Sequence, residues 1–159
     1  QMKRKHGIKA IFIDYIQLIE QRASRNSNRE NDVSMISRGL KKLAKELEVP
    51  VVALSQLNRD VEKRKPPKPN LSDLRESGSI EQDADIVMLL YRPEYYGIDA
   101  IEKDNKSVAT TNLCICDVAK HRNGPVGSIP LTFHANTMKF GNYSTDGTLT
   151  DEPIDDLPF

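Results

Sequence analysis

Leu43-Ala44-Lys45-Glu46-Leu47-Glu48-Val49-Pro50-Val51-Val52-Ala53-Leu54-Ser55-Gln56 holds the change of periodicity that decides the fold class. Upstream of it, Val33, Ile36, Leu40, Leu43 and Leu47 recur at three- and four-residue steps, while Arg38, Lys41, Lys42, Lys45 and Glu48 fall mostly elsewhere. One face of a helix is therefore apolar. Ser27 followed by Glu30 fits a capping box at its start. Pro50 stops the helix, and Val51-Val52-Ala53-Leu54 follows as a buried strand ending in Ser55 and Gln56. On the other side of the helix, Ile11-Phe12-Ile13-Asp14 reads as a short strand buried on both faces with an acid at its carboxyl end. Strand, helix and strand in this order give an α/β class.

Downstream, Ile86-Val87-Met88-Leu89-Leu90-Tyr91 predicts a third buried strand ended by Pro93. Residues 113–118 and 128–133 predict two strands joined across Asn123-Gly124-Pro125, a C-terminal antiparallel hairpin. Between these, residues 22–30 read as a solvated loop, and residues 94–111 as a polar excursion. Residues 58–70 carry Arg59, Lys63, Arg64, Lys65 and Lys68 among Pro66, Pro67 and Pro69, and read as an exposed basic loop. The polar stretch 72–79 precedes a helical turn over 79–84. The end of the chain is acidic, with Asp146, Asp151, Glu152, Asp155 and Asp156. The expected organisation is one domain over residues 1–140 and a loosely held acidic tail over 141–159.

Composition narrows the function. Lys and Arg number 23 and Asp and Glu 23, so the net charge is zero and any nucleic-acid contact must be local rather than a coat of positive charge. No apolar run approaches the ~18 residues that a membrane span requires, and the basic start fails as a secretory signal, which together predict a cytosolic protein without a membrane partner. Cys114 and Cys116 stand at i and i+2, a poor disulfide geometry, and read as buried thiols, since a zinc site wants four ligands.

Open α/β sheets bind ligands at the carboxyl ends of their strands, which singles out Asp14, Ser55 and Gln56. An apolar strand ending in Asp has the form of a Walker B element, whose carboxylate holds Mg²⁺ beside a nucleotide. A cap after a strand accounts for the same residues. Gln56 can orient a water or sense a γ-phosphate, or be an ordinary polar strand end. His121 between Lys120 and Arg122 reads as a solvent or interface filler, and Asp83 and Asp85 as capping or pairing groups rather than metal ligands. The run 59–68 is either a solvated loop or a contact for DNA or an interface.

Several long phrases in register resemble one family. Asp14-Tyr15-Ile16-Gln17-Leu18, the helix Ile36-Ser37-Arg38-Gly39-Leu40-Lys41-Lys42-Leu43-Ala44-Lys45-Glu46-Leu47, and Val49-Pro50-Val51-Val52-Ala53-Leu54-Ser55-Gln56-Leu57-Asn58-Arg59 come in order. Ser72-Asp73-Leu74-Arg75-Glu76-Ser77-Gly78-Ser79-Ile80-Glu81-Gln82-Asp83-Ala84-Asp85 and Lys120-His121-Arg122-Asn123-Gly124-Pro125-Val126-Gly127 follow. Together they resemble the replicative hexameric DNA helicases of bacteria, the DnaB type. The resemblance implies a partial RecA-like P-loop ATPase core with a mostly parallel sheet, and an ATP-dependent 5′-to-3′ helicase that uses Mg²⁺ and moves on single-stranded DNA as a homo-hexamer, with primase and a helicase loader as partners. It implies that Asp14 is the Walker B acid holding Mg²⁺ through water, that Gln56 contacts the γ-phosphate, and that Lys120 and Arg122 reach the neighbouring subunit's ATP, Arg122 as an arginine finger. Arg75, Glu76 and Gly78 match the channel loop that holds the DNA backbone.

The sequence contains no Gly-x-x-x-x-Gly-Lys followed by Ser or Thr, the loop that cradles phosphates. The stretch therefore resembles the C-terminal part of such a motor. By itself it is expected to expose an unpaired sheet edge and an apolar face, to self-associate or be marginally stable, and neither to hydrolyse ATP nor to unwind DNA. Two other readings share parts of the pattern: a RecA-type recombinase ATPase, and a non-catalytic module for ring assembly or partner docking.

Overall fold

The computed structural model describes residues 2–19, 29–103 and 106–143. The loop expected over 22–30 and its capping residue Ser27 lie largely outside them, as does the acidic end beyond residue 143. The described residues fall into two units, one built from residues up to Arg59 together with Leu71–Ala84, the other from Asp60–Asn70 together with the chain from Asp85 onward.

In the first unit, a short helix α1 (Met2–His6) precedes strand β1 (Ile11–Ile13), and the long helix α2 (Arg29–Leu47) leads to strand β2 (Val51–Ala53). β1 and β2 pair in parallel with Ile11 opposite Val51 and Ile13 opposite Ala53. Hydrogen bonds from Leu54 N to Ile13 O at 2.9 Å and from Ile16 N to Leu54 O at 2.9 Å continue the pairing past both strand ends. Parallel pairing needs a crossover of a dozen or more residues, and α2 supplies it. Of the predicted apolar face, Val33 and Ile36 are buried and Leu40, Leu43 and Leu47 half-buried, and Val49 just beyond the helix is buried too. The helix ends with Glu48 in the left-handed region at φ 47. Bonds Glu48 N to Lys45 O at 3.3 Å and Val49 N to Ala44 O at 3.2 Å close its last turn. Lys3 of α1 donates to Leu47 O at this same end. A 3₁₀ segment Leu71–Ser77 and the helix α3 (Gly78–Asp83) complete the unit, with Asp73 and Leu74 buried.

The second unit is a sheet of four strands in the order β3 (Ile86–Tyr91), β6 (Leu113–His121), β7 (Gly127–His134) and β8 (Lys139–Asn142), all antiparallel, with a separate hairpin of β4 (Ala100–Lys103) and β5 (Lys106–Ala109). The sheet expected to be mostly parallel is therefore parallel only at β1 and β2. β6, β7 and β8 are joined by a few residues and can pair only antiparallel, whereas the longer connection from β3 to β6 folds as a 3₁₀ turn and the β4–β5 hairpin rather than as a crossover helix. The predicted hairpin over 113–133 forms and extends into β8, which runs to Asn142, two residues into the segment expected to be loosely held. The hairpin β4–β5 was not legible in the polar stretch 94–111, because only Ile101 and Val108 mark it. A ring cluster fills one end of the unit, with Tyr91 stacked on Tyr96 at 6.1 Å, Phe133 against Phe140 at 4.6 Å, and Arg92 4.2 Å over Phe133.

Strands read as fully buried carry one exposed face. Phe12 is 77 % exposed, and Val52 and Leu54 are exposed too. In β3 the residues alternate, with Val87, Leu89 and Tyr91 buried and Ile86, Met88 and Leu90 exposed. A run of apolar residues records a strand suited to cover on both sides, whereas among the described residues only one side is covered. β3 is also an edge strand of the four-stranded sheet.

Burial sets two expectations. Leu89, 4 % exposed, and Leu90, 52 % exposed, are neighbours of equal volume on opposite faces. Leu89→Ala should destabilise the second unit by about 2–5 kcal/mol, and Leu90→Ala by about 0.5 kcal/mol or less, in urea denaturation followed by tyrosine fluorescence. Burial also pushes both thiols up, with the neighbouring Cys116 adding to the effect at Cys114 and the Asp117 carboxylate adding to it at Cys116. Since the thiolate is the nucleophile, iodoacetamide at pH 8 should label the native chain about tenfold or more slower than the urea-unfolded chain.

Candidate functional site

Parallel pairing brings the carboxyl ends of β1 and β2 to the same side of the first unit. Asp14 is the residue after β1, and Ser55 and Gln56 come two and three residues after β2. The three residues singled out from sequence, Asp14, Ser55 and Gln56, are thus at adjacent strand ends, Asp14 and Gln56 exposed and Ser55 half-buried. The Asp14–Tyr15 peptide is cis.

Gln17 joins the two ends, a residue whose part sequence reasoning missed. Its Nε2 donates to Ser55 Oγ at 3.0 Å and to Gln56 O at 3.3 Å, and its Oε1 accepts the Gln56 N–H at 3.4 Å. The amide thereby binds the main chain of Gln56 on both its donor and its acceptor, and fixes where that residue's side chain starts. The signal available in the sequence was a lone polar residue between Ile16 and Leu18.

Lys120 and Arg122 belong to the second unit. Lys120 is the penultimate residue of β6, opposite Val87, and Arg122 follows the strand. Arg122 N donates to Asp85 O at 2.9 Å, and its Nε lies 3.8 Å from Asp85 Oδ1. Asp85 therefore pairs with a cation. The Arg122 side chain is about half exposed, and this wide ion pair is of the solvent-screened kind. Cross-strand register slips between Val87 and Met88, so that Ala119 is an extra residue in β6. Directly opposed residues share a face of the sheet. The bulge thus aligns Lys120 with Val87 and His121 with Ile86, each on the face opposite to the one regular alternation from Val118 assigns it.

Arg75, Glu76 and Gly78 were expected in a loop. The main chain here is instead helical, a 3₁₀ segment through Ser77 followed by Gly78 as the first residue of α3. Buried Asp73 and Leu74 anchor it, and Asn58 N bonds Asp73 O at 3.0 Å. The side chains of Arg75 and Glu76 lie outside the described part of the structure. The basic stretch 58–70 is likewise less irregular than expected. Arg59–Lys63 form a 3₁₀ helix anchored by buried Val61. Lys63 donates to Asp60 at 2.7 Å, and this bond holds the Asp60 carboxyl below its ordinary range and the Lys63 ammonium above its own. Lys68 pairs with Asp117 at 3.2 Å, and Arg64 donates to Lys68 O at 3.0 Å.

An α/β pair with an acid and an amide at adjacent carboxyl ends, followed by an antiparallel extension ending in Lys and Arg, is the pattern of RecA-like ATPase cores. The model of the family described as DnaB-like helicase C terminal domain matches residues 1–142, and the chain belongs to that family. It is 52 % identical over 157 residues to the replicative DNA helicase DnaB of Rickettsia conorii, covering 91 % of this chain and 31 % of that protein. It is 51 % identical over 142 residues to the DnaB of Geobacillus stearothermophilus, covering 89 % of this chain and 30 % of that one. A solved DnaB-like replicative helicase, described with its interactions with primase, superposes with a TM-score of 0.77 at 49 % identity, covering 91 % of this chain and 34 % of its own. The chain thus spans about a third of the length of these relatives. The match favours the helicase over the recombinase reading.

Removing the Gln17 amide frees the Gln56 main chain. In Gln17→Leu, exchange of the Gln56 amide hydrogen should quicken about fivefold or more, the loss of roughly one hydrogen bond, while amides of β6 and β7 keep their rates; native-state hydrogen exchange checks this.

Proposed function

We propose that this chain is the C-terminal part of the ATPase motor of a replicative DNA helicase, which hydrolyses ATP at the subunit interfaces of a homo-hexamer and moves 5′ to 3′ on single-stranded DNA. The observation that carries this reading is the parallel pair that sets Asp14 beside Ser55 and Gln56, in a chain half identical to DnaB helicases.

The residues suit a nucleotide with Mg²⁺. Among the described residues no three His, Cys, Asp or Glu gather into a metal cage, and Asp14 is a single exposed carboxylate. Mg²⁺ keeps several waters and is bound through one or two carboxylates and the phosphates of its substrate, so one acid at a strand end is an adequate donor set. When bound, the ion neutralises charge on the phosphate oxygens. Asp14, at the end of β1, would hold that ion through its water shell. Gln56, its main chain fixed by Gln17, reads the γ-phosphate or orients the attacking water. Lys120 and Arg122 act in trans, on ATP held by the neighbouring subunit, where Arg122 stabilises the transition-state charge. Arg75, Glu76 and Gly78 hold the phosphate backbone of DNA in the ring's channel. Primase is a partner by analogy with the solved relative, and family resemblance adds a helicase loader. The site of action is the cytosol, and no helix among the described residues is long and apolar enough to cross a membrane.

A non-catalytic docking module is the second reading, favoured by the exposed face of Phe12, Val52 and Leu54. The two separate in a protein of the relatives' full length. Arg122→Ala should lower single-stranded-DNA-stimulated ATPase activity about 100-fold or more while nucleotide binding is retained. Equal activity in both proteins would count for the docking module.

A further inference from the structure

The turn that follows Arg122 is closed by a side chain to which no role has been given. The imidazole of His121 is half-buried, and its Nδ1 lies 3.2 Å from Pro125 O. A carbonyl oxygen only accepts, so Nδ1 carries the hydrogen and donates. The same ring lies close against Gly124, with Cε1 and the two nitrogens nearest. A Cβ added there would sit 2.5 Å from Nδ1, 3.0 Å from Nε2 and closer still to Cε1, so no larger residue fits while the ring stays in place. Gly124 thus serves a close approach. On its other side, His121 is opposite Ile86 in the last pair of the β3–β6 ladder, next to the bond from Arg122 N to Asp85 O at 2.9 Å. Arg122 therefore lies between two fixed points, the end of the ladder and a turn locked by the ring of the residue before it.

We propose that His121 is the positioning residue for Arg122: by packing against Gly124 and donating to Pro125 O, it sets the turn from which the guanidinium projects. The proposal rests on Arg122 acting on ATP in trans, and it assigns His121 no contact with nucleotide. Catalysis by a positioned charge falls steeply with misplacement, since about 1 Å can cost 100-fold, so a turn that relaxes by part of that distance lowers turnover without weakening ATP binding.

The test uses the full-length protein with His121→Ala, Gly124→Ala, the double variant, His121→Asn and Arg122→Ala, read by DNA-stimulated ATPase kinetics and thermal unfolding. His121→Ala and Gly124→Ala should each lower kcat about tenfold, with KM for ATP within about twofold. The double variant should be no worse than His121→Ala alone, because the ring that Cβ displaces is already gone. Asn places an amide N–H near the position of Nδ1, so His121→Asn should recover most of the lost kcat. Additive losses in the double variant, no recovery with Asn, or losses confined to KM would each overturn the proposal. If Gly124→Ala fails to fold, the His121→Ala and His121→Asn pair decides alone. Loss of activity in Arg122→Ala with wild-type activity in every His121 variant refutes the positioning role only, whereas full activity in Arg122→Ala refutes the reading beneath it.

Discussion

The parallel pairing of β1 with β2 is the constraint on which the first unit depends. Two strands running the same way have their carboxyl ends together, and they can do so only if the chain between them returns along the whole length of the pair. α2 is that return. Its apolar stripe and the left-handed residue Glu48 at its end bring the chain to Pro50, whose carbonyl accepts from Ile11 N at 3.0 Å and starts the ladder. Everything at the far end of the ladder inherits this alignment. Asp14 and Gln56 are separated by more than forty residues of chain and adjacent because of one register.

The second unit solves a different problem with different means. β6, β7 and β8 follow one another through short links, whereas β3 reaches β6 only after the excursion that carries β4 and β5; Val87, Leu89, Leu113, Cys114 and Phe133 are buried, and its cations stand at the end of the central strand β6. Asp117, beside that core, accepts Ser128 Oγ at 2.7 Å across the sheet and pairs with Lys68, which ties the basic stretch to β6.

Elements with a periodic signal were legible in the sequence. The stripe of α2, the strand at Ile86–Tyr91 and the turn at Asn123-Gly124-Pro125 are each stated by residue type at fixed spacing. Asp14 and Gln56 were legible as strand-end polar groups, whereas the part given to Lys120, Arg122 and Arg75 came from family resemblance alone. What sequence did not carry is whatever depends on partners distant in the chain. Gln17 is informative only once Ser55 and Gln56 are beside it. The exposed side of β3 cannot be told from its buried side in a run of apolar residues, and the fit of His121 to Gly124 needs the turn already folded. The expected parallel sheet is present at β1 and β2 and does not extend to β3, since strand composition does not state pairing direction.

The bulge at Ala119 has a meaning for how such a chain can vary over generations. A strand reads its faces by parity, so gaining or losing one residue ordinarily exchanges inside for outside in all that follows. At Ala119 the ladder already carries a surplus residue between Val118 opposite Met88 and Lys120 opposite Val87. Deleting it leaves those two pairings intact in a regular ladder. Position 119 is thus a place where the length of the gene can change by one codon while Lys120 and His121 keep the sides of the sheet they now occupy.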